Sequence, residues 1–218
     1  MQDVSMQVES LPVTERAYRV VKEKLLSGEL AGGSMTSEGE ISAQLGISRT
    51  PVREAFLRLE TEGLLRLYPK RGALVVPVGA EEADDVIEAR RLVETHAGRA
   101  ATELPAAAHR RLVELLSELL TAQEEAVRDG DLASYGALDA RFHQEIVEAG
   151  GNEVLRRFSV GLRERQQRMI AHSVRWDASR VTVFVQGHRA LLDAIEQRDP
   201  AAFERLIREH LDDARAGL

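Results

Sequence analysis

Between Ile41 and Val76 the spacing of apolar residues marks two short helices and then, where the period falls to two, a hairpin. Ile41 and Leu45 lie one turn apart, which predicts a short helix, and Gly46 supplies the left-handed residue that ends it. Advancing 100° per residue from there, Val52, Ala55, Phe56 and Leu59 form one apolar arc, while Arg49, Thr50 and Arg53 centre roughly 120° away. One face anchors, and the other is free to read. Ser48 or Thr50 can cap this second helix, and Pro51 sits in its first turn, where a missing N–H costs nothing. After Glu62-Gly63 the period becomes two, through Leu65 and Leu67, then Pro69-Lys70-Arg71-Gly72, then Leu74 and Val76. That pattern predicts a hairpin with a basic tip. Two helices joined by a tight glycine turn and followed by such a hairpin make a winged helix-turn-helix, expected over residues 12–78.

Upstream, Ala17, Val20, Val21, Lys24 and Leu25 predict a buttressing helix from Thr14 to Ser27, closed by Gly28. Residues 29–36, with Gly32-Gly33, read as a loop, and residues 1–11 as a flexible polar N-terminus. From residue 80 to 218 strand alternation is absent, and Gly-, Pro- or Asn-rich breaks predict helices at 81–103, 107–129, 131–149, 152–173, 177–197 and 199–215. The expected architecture is mainly α: an N-terminal winged helix-turn-helix and a C-terminal all-helical antiparallel bundle of about six helices.

Polar residues interrupt the apolar stripes of that bundle. Leu132, Tyr135, Asp139, Phe142/His143 and Ile146 share one face, so Asp139 and His143 are expected inside, one turn apart. His188 interrupts Val181, Phe184, Leu191/Leu192 and Ile195, and His210 interrupts Phe203, Leu206/Ile207 and Ala214. One such histidine reads as a hydrogen-bonded core residue. Three imidazoles and a carboxylate aimed into one core are satisfied together by a divalent cation, the arrangement of metal-binding bundles.

Composition narrows the class. A hydrophobic content of 44% with only 4% aromatic fits a helical protein, and 218 residues suffice for two modest domains. There is no cysteine, which excludes disulfides and thiolate ligands and fits a reducing cytosol. No membrane span or signal peptide is evident, so a cytoplasmic location is expected. The net charge of −7 argues against bulk attraction to DNA, but it is unevenly spread. Residues 1–79 carry 10 Lys/Arg and 10 Asp/Glu, whereas 49–71 hold six basic and three acidic residues. The positive field is local, on the reading helix and wing.

The run Ser48-Arg49-Thr50-Pro51-Val52-Arg53-Glu54-Ala55, with Leu59-Glu60, Glu62-Gly63-Leu64 and Lys70-Arg71-Gly72, resembles the GntR family of bacterial repressors. That resemblance implies operator contacts by Arg49, Thr50 and Arg53, and a backbone approach at Gly72, with Lys70 and Arg71 on the wing beside it. One departure is Gly39, where some members place a phosphate-binding arginine. Asp139-x-x-Phe142-His143, Gly187-His188 and His210-Leu211 resemble the ligand-sensing FCD domain of the FadR-type subfamily, whose matching Asp and three His hold a divalent metal. The six-helix count looks more like the VanR than the FadR branch.

Asp139, His143, His188 and His210 suit Zn²⁺ first, and Ni²⁺, Mn²⁺ or Fe²⁺ as well. Arg90, on the inward stripe with Val86, Val93 and Ala97, is read either as an effector contact or as a partner of Glu94 one turn away. Gln166 and Ser173 are further effector-pocket candidates. The expected function is a ligand-responsive repressor, a homodimer on a palindromic operator that senses a small carboxylate at the metal. Two alternatives are a metal-dependent hydrolase carrying a DNA-binding domain, and a regulator whose metal is purely structural.

Overall fold

The computed structural model describes residues 11–176 and 179–216, except for the side chains of residues 173–176. Nine helices and one three-stranded sheet occur among them, in two compact units that divide the chain between Pro77 and Val78.

In the first unit, α1 (Val13–Leu26), β1 (Met35–Thr36), α2 (Glu38–Leu45) and α3 (Arg49–Thr61) precede β2 (Leu65–Tyr68) and β3 (Gly72–Val75). Ser37 caps α2 by accepting from the Glu40 N–H, and Gly46 ends it at φ 63°. Ser48 holds the N-cap position of α3 without a side-chain cap bond. Val52, Ala55, Phe56 and Leu59 are buried against Ala17, Tyr18, Val21 and Leu25 of α1 and against Ile41, Leu65, Ala73 and Val75. The α1 stripe therefore turns on Tyr18 more than on Val20. Its ring can be buried because its hydroxyl donates to Glu62 at 2.8 Å, under the Arg58 guanidinium.

The wing differs from a simple hairpin. Residues 29–36 are not all loop: Met35–Thr36 pairs antiparallel with β3, giving the order β1-β3-β2, and two residues are too few to carry a period. At its tip the Arg71 N–H reaches the Tyr68 carbonyl at 3.0 Å, with Pro69 leading and Lys70 at φ 62°, a type II turn with a lysine where glycine is usual.

The second unit comprises α4 (Ala80–Thr102), α5 (Ala106–Asp129), α6 (Leu132–Ala149), α7 (Glu153–Trp176), α8 (Arg180–Glu196) and α9 (Pro200–Arg215). Short connections such as Gly130-Asp131 reverse the chain between neighbours, which is how a bundle closes. Asp131 caps α6, and Asp199 caps α9 ahead of Pro200. Leu112, Leu116, Leu119, Phe142, Ile146, Leu191, Ile195, Phe203 and Ile207 belong to one continuous core.

The approach of α4 to α9 depends on Gly98, because a Cβ there would lie 1.8 Å from the Phe203 ring. Phe203 is fully buried and has nowhere to retreat. Gly98→Ala is expected to destabilise the protein by about 1–3 kcal/mol through overpacking, read as a lowered thermal midpoint. An unchanged midpoint would contradict this contact.

Candidate metal centre and nucleic-acid interface

Burial and helix register bring polar side chains from all six bundle helices to one point. Asp139 and His143 come from α6, His188 from α8, His210 from α9, Arg90 and Glu94 from α4, Gln123 from α5 and Gln166 from α7. Each of these residues is buried. His143 Nε2 lies 3.1 Å from His188 Nε2 and 3.2 Å from His210 Nε2, and His188 Nε2 lies 3.3 Å from Asp139 Oδ1. Ligand atoms of the three imidazoles are all within 4.8 Å of one another. Asp139 stands to the His188 side of that trio, with its other oxygen taking the Gln166 amide and Tyr135 donating to Oδ1 at 3.2 Å.

The tautomers follow from the outer partners. Gln123 donates its Nε2 to the Leu138 carbonyl, which turns Oε1 to His188 Nδ1 at 2.7 Å. An amide oxygen only accepts, so the proton of His188 is on Nδ1. His143 Nδ1 lies 2.8 Å from Glu94 Oε2, an approach too bent for a straight hydrogen bond yet facing another acceptor. His143 Nε2 and His188 Nε2 thus converge at 3.1 Å, each ring with an acceptor oxygen beside its Nδ1.

The distances fit such an ion. Nitrogen ligands at about 2.0–2.1 Å from a divalent metal stand about 2.9 Å apart at octahedral angles and about 3.4 Å at tetrahedral ones. The 3.1 and 3.2 Å imidazole separations fall between these limits, while Asp139 approaches His188 at 3.3 Å and stands outside the cluster of three. Electrostatics agrees. Burial, then the neighbouring imidazoles and Arg90, hold His188 and His210 well below the usual histidine range, so both are neutral donors. Burial raises the Asp139 carboxyl against the opposing pull of His143 and Arg90, the cost that an ion would offset. Burial would raise Glu94 too, but Arg90 and His143 more than reverse it, so Glu94 is an anion.

Arg90 is the partner of Glu94. Its Nε donates to Glu94 Oε1 at 2.6 Å with both side chains buried. Gln166 is engaged with Asp139, and the Ser173 side chain lies outside the described residues. Glu94 enters the sequence reading only as an alternative partner for Arg90, and Gln123 does not enter it at all. Gln123 had a visible signal, since it continues the stripe of Leu112, Leu116 and Leu119/Leu120. Beside His143, Glu94, Gln144, Ser159, Arg163 and Gln166 is a cavity of about 10 Å³, room for one water at most. Gly187 shapes the other side, where a Cβ would sit 2.5 Å from His210 Nδ1.

In the first unit Arg49, Thr50 and Arg53 are exposed on the α3 face away from its core residues. Two acids of the same helix have other partners: Glu54 accepts from Thr14 at 2.9 Å and Glu60 from the Leu67 N–H at 2.8 Å. Both arginines, with Lys70 and Gly72, line a groove of about 650 Å³ between α2, α3 and the wing. Lys70 and Arg71 are exposed at the tip. Arg49 Nη2 stands 3.4 Å from where a Cβ of Gly39 would be, so its guanidinium occupies the space over the first turn of α2. Gly72 has a reason internal to the fold: at φ 96° a Cβ would lie 2.4 Å from the Thr36 carbonyl oxygen.

Residues 13–75 match the bacterial regulatory proteins of the gntR family, and residues 85–213 match the FCD domain. The chain belongs to the GntR family of transcriptional regulators, in its FCD-containing form. Among similar proteins, an uncharacterised HTH-type transcriptional regulator in an unstable DNA locus of Streptomyces ambofaciens is 32% identical over 197 residues, 89% of this chain and 80% of that protein. The transcriptional repressor RspR of Escherichia coli is 26% identical, covering 93% of this chain and 87% of its own. The gluconate operon repressor of Bacillus subtilis is 25% identical over 90% and 81%. A solved structure, McbR/YncC of Escherichia coli, shares the fold with a TM-score of 0.75 at 24% identity, over 93% and 94% of the two chains. The regulator is thus a DNA-binding transcription factor and not a hydrolase. No helix among its described residues is long and apolar enough to cross a membrane.

Proposed function

We propose that the regulator is a repressor that binds a palindromic operator as a homodimer and senses a small carboxylate at a divalent metal held by Asp139, His143, His188 and His210. The observation that carries the sensing part is the convergence of His143, His188 and His210, with His143 Nε2 3.1 and 3.2 Å from the other two Nε2 atoms, separations suited to a metal's coordination edges. When bound, the ion would supply Lewis acidity and open positions for an anion. The chain's own residues do the rest. The imidazoles converge, Asp139 supplies negative charge, and Arg90 stands within the same buried cluster as a guanidinium suited to a carboxylate. Because the cavity beside His143 holds about 10 Å³, an effector enters only as side chains around it move, which gives binding a means of shifting the bundle.

DNA contact is assigned to Arg49, Thr50 and Arg53 in the major groove and to Lys70, Arg71 and Gly72 on the wing. Dimerisation is supported by exposed apolar side chains on α4 and α7, where Leu92 is 70%, Val154 76% and Phe158 55% accessible. Two copies give the half-site spacing of about 34 Å that a palindrome needs.

The test is operator binding by the zinc-loaded protein with and without a panel of small carboxylates. At least one acid is expected to change operator affinity, and a 100-fold change corresponds to about 2.7 kcal/mol of coupling. A metal-loaded protein whose operator affinity no carboxylate alters would leave the ion a structural role.

A further inference from the structure

Two side chains reach the imidazoles from the side opposite their convergence. On α4, Glu94 Oε2 lies 2.8 Å from His143 Nδ1 while its Oε1 accepts from Arg90 Nε at 2.6 Å. On α5, Gln123 Oε1 lies 2.7 Å from His188 Nδ1 while its amide nitrogen donates to the Leu138 carbonyl at 3.3 Å. Each is anchored at one end and presents an acceptor at the other. Both are buried, Glu94 at 4% and Gln123 at 0% exposure, so neither position is a chance surface rotamer.

We infer that Glu94 and Gln123 are positioning residues for the metal centre, Glu94 holding His143 and Gln123 holding His188 with Nε2 turned toward the ion. This rests on the metal reading above. An acceptor on Nδ1–H fixes the tautomer, locks the ring plane and makes Nε2 a better donor. The two orienters are chemically unlike. Glu94 is a carboxylate whose second oxygen is tied to a guanidinium, whereas Gln123 is neutral and tied to backbone. His143 is therefore the more electron-rich of the two donors, and its strength depends on how firmly Arg90 holds Glu94. Arg90, Glu94 and His143 form one line of close contacts that starts on the bundle's first helix.

The experiment uses the full-length purified protein with Co²⁺ as the probe, titrated against a competing chelator and followed by its d–d absorption. Glu94→Gln and Gln123→Leu are each expected to weaken Co²⁺ binding by about 10–100-fold, with a shift in the d–d bands that loss of general stability would not produce. Wild-type-like affinity and spectrum in both variants would overturn the inference and leave the metal site standing. A wild-type protein that takes up no Co²⁺ would overturn both. Should either variant fail to fold, the histidine ring ¹⁵N spectrum of the zinc-loaded wild type decides. His143 and His188 are expected to coordinate through Nε2 and keep the proton on Nδ1, and coordination through Nδ1 by either would refute the assignment.

Discussion

Arg49→Ala and Arg53→Ala are each expected to weaken operator binding by about 1–3 kcal/mol, without changing the thermal midpoint. The two arginines project from the first turns of α3, exposed, on the face opposite Val52, Ala55, Phe56 and Leu59. Removing either leaves that core intact, so the loss falls on DNA alone. A guanidinium that meets a guanine edge relaxes selectivity at one base pair when it is removed, whereas one that meets phosphate weakens all sequences alike and flattens the salt dependence. Fluorescence anisotropy against operator and scrambled duplexes at two salt concentrations separates these cases. Unchanged affinity in both variants would remove α3 from the interface.

The second large effect is expected from His188→Ala. This imidazole is wholly buried, touches His143, Asp139 and Gln123, and stacks on Phe142 with ring centroids 4.7 Å apart. Its removal takes away one donor and leaves a cavity beside a buried carboxylate. Metal retention is expected to be lost. The stabilisation that added Zn²⁺ gives the wild type should vanish with it, since an ion that binds only the folded state raises stability by mass action. Thermal unfolding with and without Zn²⁺ reads this directly. A variant that Zn²⁺ stabilises as much as the wild type would show that His188 is not a ligand.

What could be read from the sequence was whatever repeats along one element. The 100° spacing of Val52, Ala55, Phe56 and Leu59 located α3 and its opposite face, and the long stripes placed Asp139, His143, His188 and His210 inside the bundle. Their breaks at Gly130, Gly150 and Pro200 fixed its helices to within a few residues. What escaped depends on how elements cross. The β1 strand has two residues and no period, and it pairs with β3 far along the chain. That pairing explains Gly72, whose missing Cβ makes room for the Thr36 carbonyl before any DNA is considered. Spacing along α4 pairs Arg90 with Glu94 but is silent about the second Glu94 oxygen, which meets His143 only because α4 packs on α6. Gln123 is the intermediate case, a polar residue on an apolar stripe whose partner lies on another helix.

Whether the three imidazoles and Asp139 hold an ion is decided by elemental mass spectrometry of the purified protein, run beside a His188→Ala/His210→Ala double variant. About one zinc, nickel, manganese or iron per wild-type chain is expected, and none in the variant. A wild-type protein without stoichiometric metal, even after dialysis against Zn²⁺, Ni²⁺ or Mn²⁺, would contradict it and leave His143, His188 and His210 as core residues.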